Sequence, residues 1–394
     1  MQFQVYYQMQ ILSIKILFIV ADANLSGGTE ILTFNLAKAL HDRELNVNIL
    51  SLVPYAGNNP LVVSLSVEEY GKWNAVSQNA WNKLFFNIAA DRCLRSILKT
   101  KASGIKKCIL INQTYDIITA LPNSKPVVQV LNWSIRGYEK SIARAVNNKR
   151  LAVRIVASFC NWGLNIRRRR KLSRVSRLVA LSNSATNEIK SLNKYVDDAQ
   201  ISIIPNPLTK TADSETISPL TNKNIVFVGR LSAEKGAMRL LHIWERVGKR
   251  LTEYTLSIYG DGPAKAEMKE YINKHCIDRV IFKGFCYDLD DIYTHADLLL
   301  MTSDTEGFGM VLIEAMYYGV PCISFDCPVA PKEIIAEAGI TVPTFDEKAY
   351  ANAVISLLAD NPQLHTLQKK SIVRARSYYI DKVVQKWLAL FNQF

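Results

Sequence analysis

The sequence predicts an α/β protein built as two doubly wound domains, and three observations lead there. The chain has 394 residues, more than one hydrophobic core usually accommodates, so two domains of under about 200 residues each are expected. Short apolar runs alternate with amphipathic helical stretches, the pattern of parallel sheets covered by helices. Pro205-Asn206-Pro207 then opens a Ser/Thr-rich polar stretch to about Thr221, where the prolines block regular structure and mark a boundary.

Taken in order, the expected strands of the first half are Lys15–Val20, Val47–Leu52, Cys108–Asn112, Val127–Leu131, Leu178–Leu181 and Ile201–Pro205. Those of the second half are Asn224–Val228, Thr255–Tyr259, Val280–Phe282, Leu298–Thr302 and Cys322–Phe325. Helices are expected over Thr29–His41, Ala237–Lys249, Lys265–Cys276 and Met310–Tyr318. The expected division is a first domain over 1–205, a linker over 206–221 and a second domain over 222–375. A closing helical segment, 376–394, is long enough to cross back to the first domain.

Composition sets limits on function. Apolar residues make 49% of the chain and charged residues 21%, which suits a folded protein and neither a disordered nor a fibrous one. Charge is uneven: residues 1–180 hold 25 Lys/Arg against 9 Asp/Glu, giving +16, while the remainder holds 23 against 26, giving −3. The first half therefore favours a polyanionic partner or an anionic membrane surface. Seven cysteines without a CxxC and five histidines without an HxxxH read as thiols of a reducing compartment, with no zinc site. No apolar run approaches 18 residues, the length at which a bilayer span is suspected. The opening twenty residues lack a basic leader and a small-residue cleavage site, so no signal peptide is expected.

The chemistry concentrates in the second half. Gly229-Arg230-Leu231-Ser232-Ala233-Glu234-Lys235-Gly236 follows an apolar strand and opens a helix, which suits an anion held by two cations and a helix start. Tyr259-Gly260-Asp261-Gly262 and Lys283-Gly284-Phe285 each end a strand at a glycine turn. Most informative is Ser303-Asp304-Thr305-Glu306-Gly307-Phe308-Gly309-Met310, running into an apolar helix that carries Glu314. The glycines leave first-turn N–H groups open to a phosphate. A carboxylate on an apolar helix needs a partner, since burying even a polar group alone costs roughly 2–7 kcal/mol. Sugar hydroxyls would serve.

The Glu306-to-Glu314 pair, spaced Glu-x7-Glu, resembles that of the retaining family-4 glycosyltransferases. Gly27-Gly28-Thr29-Glu30, Gly229-Arg230 with Lys235-Gly236, Tyr259-Gly260-Asp261-Gly262 and Lys283-Gly284-Phe285 occur in that family's order. The match is clear from about 200 to 345 and thinner before it. The resemblance implies the GT-B fold, two facing Rossmann-like domains with an interdomain cleft. It implies that Arg230 and Lys235 bind the donor diphosphate, that Glu314 receives the ribose hydroxyls and that Glu306 contacts the transferred sugar. The N–H groups of Gly307, Phe308, Gly309 and Met310 would hold the distal phosphate, Gly229 would give the phosphates room, and Gly284 and Phe285 would meet the base. Gly27 and Gly28 would line the cleft from the opposite domain. No cofactor or metal is implied beyond a nucleotide-sugar donor, expected to be a UDP-sugar.

Two departures stand out. Many relatives carry a histidine where this chain has Val130-Leu131-Asn132-Trp133-Ser134, so Asn132 takes its place as the residue holding the sugar. Asp326-Cys327-Pro328-Val329-Ala330-Pro331-Lys332-Glu333-Ile334-Ile335 resembles a segment of transferases that build lipid-linked bacterial glycans, with Ala330 in place of the usual glycine. Asp288-Leu289-Asp290 is a DxD, read here as a helix N-terminal acid cluster rather than a metal motif.

Between Glu139 and Glu188 lies no acid, and twelve basic residues run from Lys140 to Arg177. On a helix, Arg150, Arg154, Ser158, Asn161, Asn165 and Arg168 share one face, while Leu151, Ile155, Val156, Phe159, Trp162 and Ile166 cover much of the rest. Such a basic amphipathic stretch suits an anionic membrane surface. The expectation is a cytoplasmic enzyme, peripheral on the inner face of the membrane, that glycosylates a lipid-linked, lipopolysaccharide or capsule acceptor. A nucleic-acid-binding module is the reading from another class, resting on net charge, but it lacks interleaved aromatic residues. A sugar-nucleotide epimerase shares the architecture without this Glu-x7-Glu pair. A dinucleotide dehydrogenase is disfavoured because no GxGxxG follows a strand.

Overall fold

The computed structural model describes residues 14–25, 28–78, 87–101, 108–132, 134–139, 142 and 151–394. The chain forms two units, one of Met1–Pro207 with Val383–Phe394 and the other of Leu208–Lys382.

The first unit is built on strands β1 (Lys15–Val20), β2 (Asn46–Ser51), β3 (Val62–Ser64), β4 (Cys108–Asn112), β5 (Val127–Leu131), β6 (Arg177–Ala180) and β7 (Ile201–Ile203). Helices α1 (Gly28–His41), α2 (Val67–Gln78), α3 (Ile88–Lys101), α4 (Leu151–Leu172) and α5 (Asn183–Leu192) join them. Every pairing is parallel, in the order β3-β2-β1-β4-β5-β6-β7. The central strands are covered on both faces and read as unbroken apolar runs, and β4 and β5 are buried at every residue.

The second unit repeats the plan with β8 (Asn224–Val228), β9 (Thr255–Tyr259), β10 (Val280–Gly284), β11 (Leu298–Met301), β12 (Cys322–Phe325) and β13 (Gly339–Val342), in the parallel order β10-β9-β8-β11-β12-β13. Its helices are α6 (Ala237–Gly248), α7 (Lys265–Lys274), α8 (Leu289–Tyr293), α9 (Met310–Tyr317), α10 (Pro331–Ile335), α11 (Glu347–Ala359) and α12 (Asn361–Ala375). Trp244, Tyr293 and Tyr350 are fully buried in it, and the Trp244 indole meets its polar need by donating to the Asp278 carbonyl at 3.1 Å. Strands β3 and β13 were not expected. Both are short and lie at sheet edges, where little apolar pattern marks them.

The expected linker over 206–221 is corrected. From Leu208 this stretch packs as part of the second unit: Leu208 N–H donates to the Tyr378 carbonyl at 2.7 Å, and Ser218 Oγ donates to Ala296 at 2.6 Å. Ser218 and Leu220 are buried, and Asp213 pairs with Arg376 and Tyr379. Its polar residues satisfy neighbouring backbone groups, which composition alone does not reveal. After a 3₁₀ turn over Arg376–Tyr378, a last helix α13 (Ile380–Phe391) continues into the first unit. There Trp387 sets its ring against Phe18 of β1 at 6.3 Å.

Helix α4 reverses the usual sidedness of a surface helix. Arg168 is buried, lies between the rings of Tyr115 and Tyr138 at 5.7 and 5.5 Å, and pairs with Asp116 at 2.5 Å. Arg167 pairs with Asp91 at 2.6 Å, and Arg169 bonds Glu139. Lys171 donates to the Leu121 carbonyl, and burial, with Arg95 and Arg174 nearby, pushes its amine down to about 8. On the far side of the same helix Ile155, Val156, Phe159 and Trp162 are exposed. The polar face expected at an anionic membrane surface is thus turned inward at Arg168, where Asp116 and the two tyrosine rings receive it. Arg150 and the side chains of Leu151 and Arg154 lie outside the described residues.

Arg168 is buried while the Asp116 carboxylate paired with it is half exposed, so truncating Arg168 leaves Asp116 to water and removes mainly the packing and cation–π contacts with Tyr115 and Tyr138. Arg168→Ala should therefore cost about 1–2 kcal/mol, lowering the melting temperature by roughly 2–8 °C. An unchanged melting curve would show that Arg168 bears no load.

Candidate functional site

In the second unit the strand ends carry the glycine turns side by side. Gly229 N–H donates to Tyr259 at 2.9 Å, and Gly260 N–H to Gly284 at 2.6 Å. At Gly260, φ is +133°, and a Cβ there would lie 2.0 Å from the Gly229 carbonyl oxygen. Only glycine lets these two loops touch. Gly236 has the same role one loop over: φ is +67°, and a Cβ would sit 2.0 Å from the Thr302 carbonyl oxygen.

Through that contact the turn bearing Lys235 is fastened to the loop bearing Glu306. The Thr302 hydroxyl donates to the carbonyls of Lys235 and Gly236 at 3.0 and 3.1 Å, and Asp304 N–H donates to Glu234 at 2.8 Å. The side chains then meet directly, with the Lys235 ammonium donating to Glu306 Oε1 at 2.7 Å. Glu306 is buried and also accepts from the Ser303 hydroxyl at 2.6 Å. Burial, with the Glu306 charge adding to it, pushes the Cys327 thiol up to about 12. Arg230 is exposed and, among the described residues, engages no carboxylate.

Gly307, Phe308 and Gly309 are buried, and Gly309 turns the chain into α9 at φ +90°. Met310 is the first residue of that helix, so its first-turn N–H groups are the ones the sequence reading singled out. Glu314 lies one turn further on. It receives the Tyr293 hydroxyl at 3.4 Å, a long bond, and burial pushes its carboxyl up to about 7. Gly284 ends β10 at φ +74°. Phe285 beyond it is exposed, edge-on to exposed Tyr287 at 4.5 Å. Asp288 of the DxD caps α8 by accepting from the N–H groups of Asp290 and Asp291, and Asp290 accepts from the Tyr318 hydroxyl.

The remaining expected residues belong to the first unit. Asn132 follows β5, and its amide donates to the Gln113 side chain at 2.8 Å and to the Gln113 carbonyl at 3.2 Å. Gly28 is the first residue of α1 and is exposed. Gly27 lies outside the described residues.

Sequence reading missed Arg239. It donates to the Thr302 carbonyl at 2.9 Å and to Asp304 at 2.7 Å, and it lies over the rings of Phe345 and Phe325 at 4.6 and 5.6 Å. A signal existed. Arg239 is the third residue of α6, where a cation opposes the helix dipole and needs a specific carboxylate to offset it. Ser303, Tyr293 and Gln113 were also missed, being ordinary residues whose contacts are set by the fold.

The raised carboxyl of Glu314 has a consequence for stability. Below about pH 4.5 both folded and unfolded chains hold the proton, and it contributes nothing. As pH rises toward 7 the unfolded chain loses the proton first, so the folded state is progressively disfavoured, by on the order of 2–3 kcal/mol once both are ionised. Glu314→Gln should melt above the unmodified protein at pH 7.5, the gap closing as pH falls toward 5. Equal melting temperatures across that range would contradict the burial argument.

Residues 209–374 match the family model described as glycosyl transferases group 1. Over nearly its whole length the chain is similar to an uncharacterized glycosyltransferase of Haemophilus influenzae, with 25% identity covering 95% of this chain and 98% of that one. It is similar at 26% identity, over 96% of this chain and 98% of the other, to an N-acetyl-D-galactosaminyltransferase of Campylobacter jejuni that acts on an undecaprenol-diphosphate-linked glycan. Among solved structures it resembles Anabaena HepE, crystallised with UDP and glucose, at a TM-score of 0.70 and 17% identity, over 97% of this chain and 100% of that one. The chain is a glycosyltransferase of the GT-B fold, and its second unit carries the group 1 glycosyl transferase domain.

Proposed function

We propose that the chain transfers a hexose or N-acetylhexosamine from a UDP-sugar, with retention of anomeric configuration, to a lipid-linked, lipopolysaccharide or capsule glycan. The observation that carries this reading is the Lys235–Glu306 contact at 2.7 Å, which sets a cation and a carboxylate on one spot at the mouth of the second sheet. An arriving diphosphate competes with Glu306 for Lys235. The carboxylate it displaces is then free to receive a hydroxyl of the sugar. Arg230 adds the second positive charge, and the N–H groups from Gly307 to Met310 take the distal phosphate.

Glu314 receives the ribose hydroxyls, which supply the donors that a single long bond from Tyr293 leaves wanting. Gly229 gives the phosphates room, Gly284 and Phe285 meet the base, and Asn132, with Gly27 and Gly28, serves the sugar and acceptor from the first unit. As the sugar departs, charge grows on the leaving diphosphate, and the preorganised cations stabilise it. In this reading the cations carry the neutralising charge, and the reaction proceeds without a metal ion. The Campylobacter relative, named for a lipid-linked substrate, and HepE, crystallised with UDP, support the acceptor class and the base. The +16 charge of residues 1–180 supports work at an anionic membrane face, on its cytoplasmic side.

A thermal-shift screen over UDP-, GDP- and ADP-sugars tests the donor. A UDP-sugar should raise the melting temperature, chelator should not diminish the effect, and Lys235→Ala should abolish it; an unaltered response in that variant would remove the phosphate site. Arg239→Gln should raise the donor KM by about tenfold, the equivalent of one lost charge-assisted bond, while Arg239→Lys recovers part of it. Equal KM values in all three proteins would show that the Thr302–Glu306 loop holds its place unaided.

A further inference from the structure

Helix α4 bears a feature that the donor chemistry does not use. Ile155, Val156, Phe159 and Trp162 are 63%, 53%, 54% and 61% exposed. Their spacing places Ile155, Phe159 and Trp162 on one stripe about 10 Å long, with Val156 beside it. The Phe159 and Trp162 rings stack at 5.9 Å with 29° between their planes, so they present one continuous apolar surface. Single exposed apolar residues are ordinary on proteins, but contiguous ones mark a surface that meets something.

The opposite side of the helix fixes which way this stripe faces. Phe159 and Arg168 are nine residues apart, half a turn on a helical wheel. Arg168 is buried between two tyrosine rings and paired with Asp116, while Arg167 and Arg169 hold Asp91 and Glu139. The stripe cannot roll inward without breaking those pairs. Of the arginine run, which the sequence suggested as the lipid contact, Arg168 is buried and Arg167 and Arg169 are half-buried in ion pairs, while Arg170 is exposed.

Charge identifies the partner. No Asp or Glu occurs between Glu139 and Glu188, and Arg170 and Arg174, at and just beyond the end of α4, are exposed. An acid-free apolar surface with a tryptophan and flanking cations complements the interfacial layer of an anionic bilayer. We propose that Ile155, Val156, Phe159 and Trp162 insert into that layer, with Arg167, Arg168 and Arg169 acting as mounts for the helix and Arg170 and Arg174 contacting lipid phosphates. The proposal rests on the membrane-side acceptor of the reading above, and it replaces docking by the arginine run with docking by apolar insertion.

The test is partitioning of the full chain onto vesicles of phosphatidylcholine with and without phosphatidylglycerol. Wild type should sediment with the anionic vesicles, with a blue shift of tryptophan fluorescence. Phe159→Ser with Trp162→Ser should weaken partitioning by about tenfold or more and remove the shift. Because both side chains are exposed, the melting temperature and the response to donor should be unchanged, which separates loss of docking from loss of the transferase reading. Arg170→Ser with Arg174→Ser should keep the blue shift and lose most of the salt dependence. Ile155→Ser with Val156→Ser provides an independent pair should the first fail to fold. The proposal is overturned if wild type ignores anionic vesicles, if either apolar pair binds like wild type, or if light scattering shows a dimer that the substitutions dissolve.

Discussion

The Lys235–Glu306 ion pair is the contact on which the second unit's site depends. Lys235 closes a single 3₁₀ turn and Glu306 lies in the loop before α9, two short segments that meet only through their contacts with each other. Their separation is set by backbone: the Gly236 turn touches the Thr302 carbonyl, and Thr302 and Asp304 reach back by hydrogen bonds. Arg239 adds a charged brace on the same loop. The buried Glu306 carboxylate thus has its charge met within the unit, by one cation and one hydroxyl.

The same logic runs differently in the first unit. There the paired charges of α4 serve geometry. Three arginines in a row reach three acids on separate segments, and the cost of desolvating them is offset by pairing and by the tyrosine faces around Arg168. Such an arrangement contributes little net stability compared with an apolar core, but it fixes the helix in one orientation.

Much of the fold was legible because parallel strands buried on both faces announce themselves as apolar runs, as β4 and β5 do. The donor-side glycines were legible too, since a strand ending in Gly260 or Gly284 admits few conformations. What was not legible was set by distance along the chain. Arg167 finds Asp91 76 positions away and Arg239 finds Asp304 65 away, and no local pattern encodes either meeting. The arginine run looked like a lipid contact because sequence shows charge without showing where its counter-charge folds. The stretch after Pro207 looked like a linker for a related reason: its hydroxyl and carboxylate groups look solvated until the partners around them are known.

Residues 383–394 belong to the first unit although the whole second unit precedes them in the chain. Synthesis therefore completes the second unit's sequence before the first unit has its last helix. Until Trp387 emerges to cover Phe18, the nascent first sheet waits with part of its apolar surface unfilled, and during translation the later-made unit is the one able to close first.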